Sequence, residues 1–358
     1  MNQLVAATLQ PGMQLYKYQL LSFVGAGNFG EVWQAIDMTL DRVYAIKILK
    51  PGISVDQRLS EAKIGNCLTH NNLVRVHHAD VIGILGQDLV VLAMDYLPDG
   101  SVDRLANPAS FLPLPDALRI GKDVLQGLDY LHANHFFHND IKPGNILIGP
   151  QGQATLSDYG ITGVSPDGSP VTAPDSYRFH KAPEIDDTGN VGVTTDVFQV
   201  GMTLIRLLSG LTILDAKKAG KNWDEYSAAI ASGKLIAKTD FPDHLPAAVR
   251  RIVLKAINPD ASKRFQSALE MRRQLERLHF PGFWTVDASG NLVGEDLKAH
   301  YSFEFIASAG GTFETKCLKT SKTSGKTRRV TQFCDKGLTQ KVAEAEIRKF
   351  KIFVVEGL

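Results

Sequence analysis

Two features in the first fifty residues bear on anion chemistry. The run Gly25-Ala26-Gly27-Asn28-Phe29-Gly30 lies between strand-like segments and is followed by Val32. Glycines let a β-turn bring backbone amides close to phosphate oxygens, because no Cβ blocks the approach. A GxGxxG also opens dinucleotide-binding folds, but there the third glycine begins a helix, whereas EVWQAI after Gly30 reads as strand. Taken alone, the motif fits a nucleotide loop and an ordinary glycine-rich turn equally. The second feature is Lys47, set in the apolar run Tyr44-Ala45-Ile46-Lys47-Ile48. A buried ammonium without a partner is costly, so such a lysine calls for a carboxylate, phosphates, or both. Glu61, on the helical segment that follows, is the obvious carboxylate; a surface lysine on an edge strand is the alternative.

The middle of the chain narrows this choice. His138-Asn139-Asp140-Ile141-Lys142-Pro143-Gly144-Asn145 is followed, thirteen residues after Asn145, by Asp158-Tyr159-Gly160. Ala182-Pro183-Glu184 comes next, and then Asp196-Val197-Phe198-Gln199-Val200-Gly201. Together with the glycine run and the lysine, this ordered set resembles the protein kinase family, in its eukaryotic-like (Hanks-type) serine/threonine branch. The segments match the HRDxKxxN catalytic loop, the DFG metal motif, the APE end of the activation segment and the aspartate of the central C-lobe helix. The resemblance covers about Tyr18 to Phe280. It implies an α+β, bilobal protein kinase fold with a small β-rich N-lobe, a larger α-helical C-lobe and ATP in the cleft between them.

The resemblance also implies roles. Gly25, Gly27 and Gly30 would cover the phosphates, and Lys47 would hold the α- and β-phosphates with Glu61 fixing its side chain. Val32, Ala45, Met94 as gatekeeper, Asp95 and Leu97 in the hinge, and Leu147 would receive adenine. Asn145 and Asp158 would hold Mg²⁺, a hard cation suited to oxygen ligands. Asp140 would accept or orient the substrate hydroxyl proton, and Lys142 would neutralise charge on the γ-phosphate. That lysine favours the serine/threonine branch, and Arg264 is the expected structural partner of Glu184. The implied activity is ATP-dependent phosphorylation of a protein substrate, the kinase itself included.

Four positions depart from the family pattern. Asn139 replaces the arginine of HRD, Tyr159 the phenylalanine of DFG, and Tyr177 the threonine five residues before Ala182. Gly65 stands where a bulky apolar residue usually packs against the DFG aromatic. Without the arginine's charge, a phosphate on Thr162, Ser165, Ser169 or Thr172 has no clamp at residue 139, so another contact is expected to order the lobes. A pseudokinase scaffold, binding nucleotide or a partner without turnover, is the alternative; Lys47, Glu61, Asp140, Asn145 and Asp158 all argue against it. The APE segment and the 27-residue stretch from Asp158 to Glu184 favour a protein over a small-molecule acceptor.

Positioning these residues requires a sheet before the hinge and helices after it. LLSFVGAG, EVWQAI, VYAIKIL and LVVLAMDYL read as strands, interrupted by a helical segment from Ser60 to Leu68. PDALRIGKDVLQGLDYLHAN and the stretch from Asp196 to Leu208 read as helices. A helix, SALEMRRQLERLHF, is expected to end at Pro281-Gly282, after which YSFEFIA, TFETKCL, RRVTQFC and KFKIFVV read as short alternating runs, with one helix near Gln340 to Arg348. The expected organisation is an N-terminal arm at 1–17, a kinase domain at 18–280 and a small α/β C-terminal domain at 283–358.

The chain has 358 residues, 39 basic and 38 acidic, so no global field points to nucleic acid or a membrane. Nucleic acid is therefore not an expected partner. Three cysteines, Cys67, Cys317 and Cys334, are too few for a disulfide framework. With no basic signal start and no apolar run of about 20 residues, a cytoplasmic setting is expected. The stretch 316–329, KCLKTSKTSGKTRR, holds six cations and no acid, which suits either a solvated hairpin loop or an acidic partner. Its SGKT is not a phosphate loop, since Thr320 stands where that motif needs glycine. Cys317 and Cys334 are expected to be neighbouring core thiols.

Overall fold

The computed structural model describes residues 9–27, 30–49, 68–84, 87–104, 110–158, 163–165, 167–172, 177–308 and 310–357. Glu61, Gly65, Cys67, Tyr159, Gly160, Thr162, most of the expected Ser60 to Leu68 helix, and Asn28 and Phe29 of the glycine run lie outside the described residues.

The N-lobe is a six-stranded antiparallel sheet of β1 (Gln14–Leu15), β2 (Tyr18–Ala26), β3 (Gly30–Asp37), β4 (Arg42–Leu49), β5 (Val76–Ile84) and β6 (Gln87–Asp95). Its spatial order is β1-β2-β3-β4-β6-β5. The twofold side-chain period of a strand sorts β4 onto two faces. Tyr44, Ile46 and Ile48 join Tyr18, Leu20 and Trp33 in an outer core, while Ala45 and Leu49 join Val32, Met94 and Leu147 on the opposite face. Lys47 shares that second face, the one toward the cleft. β5 was not evident in the sequence because His77, His78 and Asp80 break its apolar pattern; pairing with β6 holds it in the sheet. The arm contributes to the lobe from residue 9 onward, with Leu15 buried and the Leu20 amide donating to the Met13 carbonyl.

The C-lobe packs α1 (Leu114–Ala133), α2 (Val193–Ser209), α3 (Trp223–Ala231), α4 (Ala247–Ala256) and α5 (Ala268–Glu276) into one core. Ala117, Gly121, Val124, Leu128 and Leu131 recur at helical spacing on the buried face of α1. α2 is buried along nearly its whole length, so its polar side chains must find partners inside the protein. α5 stops at Glu276, ahead of the Pro281-Gly282 breaker, and Leu278 and Phe280 turn into the core instead.

Past Phe280 lie β9 to β14, counted after two short C-lobe strands, β7 (Ile146–Ile148) and β8 (Ala154–Leu156). They are β9 (Gly282–Val286), β10 (Leu292–Asp296), β11 (Ala299–Ser308), β12 (Thr312–Ser321), β13 (Thr327–Arg329) and β14 (Asp335–Leu338), in an antiparallel sheet covered by α6 (Gln340–Glu356). KFKIFVV is thus helix, correcting the expected alternating run. Ala343, Ile347, Phe350 and Val354 fall at spacings of three and four and are buried together, and helical periodicity overrides the local alternation. RRVTQFC is divided between β13 and a 3₁₀ turn at Thr331–Phe333. The basic stretch is mainly the β12–β13 hairpin, with its turn at 322–326. Lys316 pairs with Glu304 at 2.8 Å, and Lys322 with Glu295.

Trp284, fully buried against Phe303 and Phe350, donates its indole N–H to the Lys351 carbonyl at 2.9 Å. A Cβ on Gly282 would lie 2.2 Å from the Val354 carbonyl oxygen, so strand and helix meet there only because the residue is glycine. The Cys317 amide donates to Cys334 Sγ at 3.2 Å, and burial, with Cys334 beside it, pushes the Cys317 thiol up to about 12. Such a thiol is a core group, not a nucleophile. The sheet and α6 share one apolar core with the C-lobe helices, and Lys351 Nζ pairs with Asp243 at 3.0 Å across the join.

Arg264 ties the C-lobe together. Its side chain is fully buried and uses all its donors: two on Glu184 at 2.7 and 2.8 Å, and the others on the carbonyls of Asn258, Thr194 and Pro259. Removing one member of such a pair strands the other charge. Arg264→Ala should therefore lose about 3–5 kcal/mol of unfolding free energy in urea melts, whereas an exposed-pair variant such as Lys263→Ala should lose under about 1 kcal/mol.

Candidate active site

The segment carrying Asp140 runs through the protein interior. His138, Asn139 and Asp140 are all buried, and Asn139 holds a left-handed φ of 59°, a conformation asparagine tolerates better than most residues. The Asp196 carboxylate, with no solvent exposure, accepts from the backbone amides of His138 at 2.9 Å and Asn139 at 2.8 Å. His132 Nε2 lies 2.8 Å from the same carboxylate.

Around Asp140 the expected residues converge. Its Oδ2 takes hydrogen bonds from Lys142 Nζ at 2.6 Å and Asn145 Nδ2 at 2.7 Å. Its Oδ1 is buried with no hydrogen-bond partner among the described residues. A buried acceptor without a donor is costly, so Oδ1 is open to a hydrogen-bond donor from outside the described residues. Lys142 also lies 4.7 Å from the centre of the Tyr177 ring, a cation–π contact that replaces any threonine hydroxyl at that position.

Across the cleft, Lys47 Nζ donates to Asp158 Oδ1 at 2.7 Å. Burial alone would raise the Asp158 carboxyl, but the Lys47 charge and hydrogen bond, with Lys142 and His138 behind them, outweigh it and hold the group below its ordinary value. Asp158 therefore stays ionised and can serve as an oxygen ligand. Glu61, the expected second partner of Lys47, lies outside the described residues.

A cleft of about 260 Å³ is lined by Lys47, Asn145 and Asp158; Asp140 and Lys142 lie beside Asn145 and are not part of its lining. Gly25, Gly27, Val32, Ala45, Lys47, Met94, Asp95, Leu97, Leu147, Asn145 and Asp158 all line it, as the sequence suggested. Gly30 does not. A Cβ there would meet the Ile48 carbonyl oxygen at 2.1 Å, so this glycine serves the close approach of β3 to β4. Two groups went unforeseen. Arg104 lines the cleft and donates to the Val24 carbonyl at 3.1 Å, a contact between distant segments that leaves no local trace. Gln199 and Thr203 bond to the Asp140 segment; their spacing from Asp196 along a mostly apolar helix, i+3 and i+7, was a readable signal.

The protein kinase domain model matches residues 18–274. The chain belongs to the protein kinase family. It is 28% identical over 275 residues to the serine/threonine-protein kinase PrkC of Bacillus subtilis (strain 168), covering 73% of this chain and 40% of that protein. It is 26% identical over 271 residues to the serine/threonine-protein kinase PknB of Mycobacterium leprae (strain TN), covering 74% and 43%. With the serine/threonine-protein kinase PksC of Streptomyces coelicolor (strain ATCC BAA-471 / A3(2) / M145) it shares 30% identity over 283 residues, covering 73% and 49%. The chain thus spans less than half the length of these relatives. The bilobal kinase architecture and the Glu184–Arg264 pair implied by the sequence are both present.

The lowered Asp158 value has a signed consequence for this kinase. Its stabilisation is fully present above the ordinary carboxyl value of 3.8 and is lost as pH falls through the lower folded value. The difference in unfolding free energy between wild type and Asp158→Asn should accordingly be flat from about pH 8 to 5 and shrink below about pH 4. Urea melts across that range check it.

Proposed function

We propose that this kinase transfers the γ-phosphate of ATP to serine or threonine hydroxyls of a protein substrate, itself included, with Mg²⁺ as cofactor. The observation that carries this reading is the unpartnered Asp140 Oδ1, held beside Lys142 and Asn145, with Asn145 lining the cleft that Lys47 and Asp158 also line. The names of the bacterial relatives support the serine/threonine assignment.

The donor set fits the metal. Asn145 gives its amide N–H₂ to Asp140, which leaves its amide oxygen for a cation, and Asp158 keeps a second carboxylate oxygen beyond the one on Lys47. Hard oxygen donors of this kind match Mg²⁺. When held by Asn145 and Asp158, the ion would neutralise charge on the nucleotide phosphates.

The protein's own contribution is positioning and electrostatics. Asp140 Oδ1 receives the hydroxyl hydrogen and aims the oxygen nucleophile. Lys142, between the Asp140 carboxylate and the Tyr177 ring, supplies positive charge for the transferred phosphoryl group. Lys47 holds the α- and β-phosphates, with Glu61 as its second carboxylate partner. Gly25 and Gly27 bring backbone amides to the phosphates, and the apolar walls at Val32, Ala45, Met94 and Leu147 receive adenine beside the Asp95–Leu97 hinge.

We assign residues 18–280 to the kinase domain and 283–358 to a small domain that directs location or substrate choice. Within it Lys326, Arg328 and Arg329 are exposed along the β12–β13 hairpin and suit an acidic protein face. No helix among the described residues is long and apolar enough to cross a membrane. We place the kinase in the cytoplasm.

Asp140→Asn should lower kcat by about 10²–10⁴-fold with little change in the KM for ATP, since the residue acts on the reacting hydroxyl. Lys47→Ala and Asp158→Ala should abolish transfer with the fold retained. Initial rates with Mg²⁺, labelled ATP and dephosphorylated casein measure all three; turnover retained in Asp140→Asn would overturn the reading.

A further inference from the structure

Asn139, the departure next to Asp140, meets Gln199 of α2 in space. Gln199, fully buried on α2, accepts from the Ile141 amide through Oε1 at 2.9 Å and donates through Nε2 to the Asn139 carbonyl at 3.0 Å. Its Nε2 also lies 3.4 Å from Asn139 Oδ1. One carboxamide therefore grips the backbone on both sides of Asp140. Asn139 has no solvent exposure and abuts this amide, so a neutral side chain suits the position.

We propose that Gln199 is a positioning residue for Asp140: its one carboxamide fixes the peptides on both sides of that carboxylate. This rests on reading Asp140 as the proton acceptor. The amide suits the task because it is donor and acceptor at once, matched to one carbonyl and one N–H. Both bonds lie in the interior, where an unmade bond costs most and water cannot substitute. The next residue is fixed as well: the Ile141 carbonyl takes His180 Nδ1 at 2.7 Å and Thr203 Oγ1 at 3.3 Å. With Asp196 on the two preceding amides, every peptide flanking Asp140 is held by a side chain from elsewhere in the fold. A misplacement of about 1 Å in a reacting group can cost about 100-fold in rate, so a clamp of this kind bears on kcat.

The titratable and charged groups around the clamp are Asp196 on α2, His138, Asp140 and Lys142 on the catalytic segment, His132 on α1, and His180 with Arg206 near it. Burial and the Arg206 charge hold His180 down to about 3, so it stays neutral across an assay range of about pH 6 to 8.

Two variants of the full chain test this. Gln199→Met keeps the volume and loses both hydrogen bonds. It should lower kcat about tenfold or more, leave the KM for ATP within about twofold, and keep a cooperative thermal melt. Gln199→Glu separates positioning from packing. Its carboxylate can accept from Ile141 but repels the Asn139 carbonyl, whereas its protonated form reproduces the amide's donor and acceptor. Burial raises the value of such a carboxyl. The kcat of Gln199→Glu relative to wild type at the same pH should therefore recover as pH falls from about 8 to 6. A Gln199→Met kcat within twofold of wild type, a loss seen only in KM, or a flat Gln199→Glu ratio would overturn the proposal. Should Gln199→Met fail to fold, the Gln199→Glu ratio decides alone. Asp140→Asn in the same assay separates the two readings. If it is inactive while Gln199→Met matches wild type, only the clamp is wrong; if it retains turnover, the reading of Asp140 fails and the clamp fails with it.

Discussion

A chain that presents a reactive carboxylate from inside a protein must satisfy its own backbone there, away from water. This constraint governs the centre of the molecule. The peptides around Asp140 would leave unpaired amides and carbonyls if the catalytic segment were simply packed into the C-lobe. One face of α2 supplies the remedy, with Asp196, Gln199 and Thr203 at i, i+3 and i+7 bonding to successive peptides. The helix must be buried to reach them, and α1, α4 and the Arg264–Glu184 pair bury it. Much of the C-lobe can be understood as the support that this one helix face requires.

The N-lobe meets a simpler demand, a sheet with two different faces. One face of β4 is apolar and buried in the lobe; the other carries Lys47 into the cleft. Strand alternation is enough to bring the ammonium to the Asp158 carboxylate without extra machinery. In exchange, Lys47 keeps Asp158 ionised: the carboxyl is held below its ordinary value because Lys47 outweighs the cost of its burial. The pair thus presents one fixed positive and one fixed negative charge to the cleft.

Beyond the kinase-like portion, the sheet under α6 is not an appendage on a free linker. Trp284 sits in the same apolar core as the C-lobe helices, and Lys351 reaches Asp243. Its basic hairpin is partly neutralised within the domain by Glu304 and Glu295, so the outward charge rests on fewer residues than the composition of 316–329 suggests.

The sequence by itself determined the family, the order of the lobes and much of the cleft lining, because those depend on residue types at fixed local spacing. That spacing singled out Asp140, Lys142, Asn145 and Asp158, which the fold brings together, and Lys47, whose charge in an apolar strand demands a partner and finds Asp158. Gly30 is not among the residues that line the cleft, and a glycine run does not reveal which member lets two strands approach, as Gly30 does for β3 and β4. KFKIFVV alternates over a few residues, and only packing against Trp284 and Phe303's sheet shows that its wider helical period prevails. Arg104, Gln199 and His180 owe their roles to contacts across long stretches of chain. Such hydrogen bonds form only when folding removes water from both partners at one place, and that coincidence belongs to the tertiary structure.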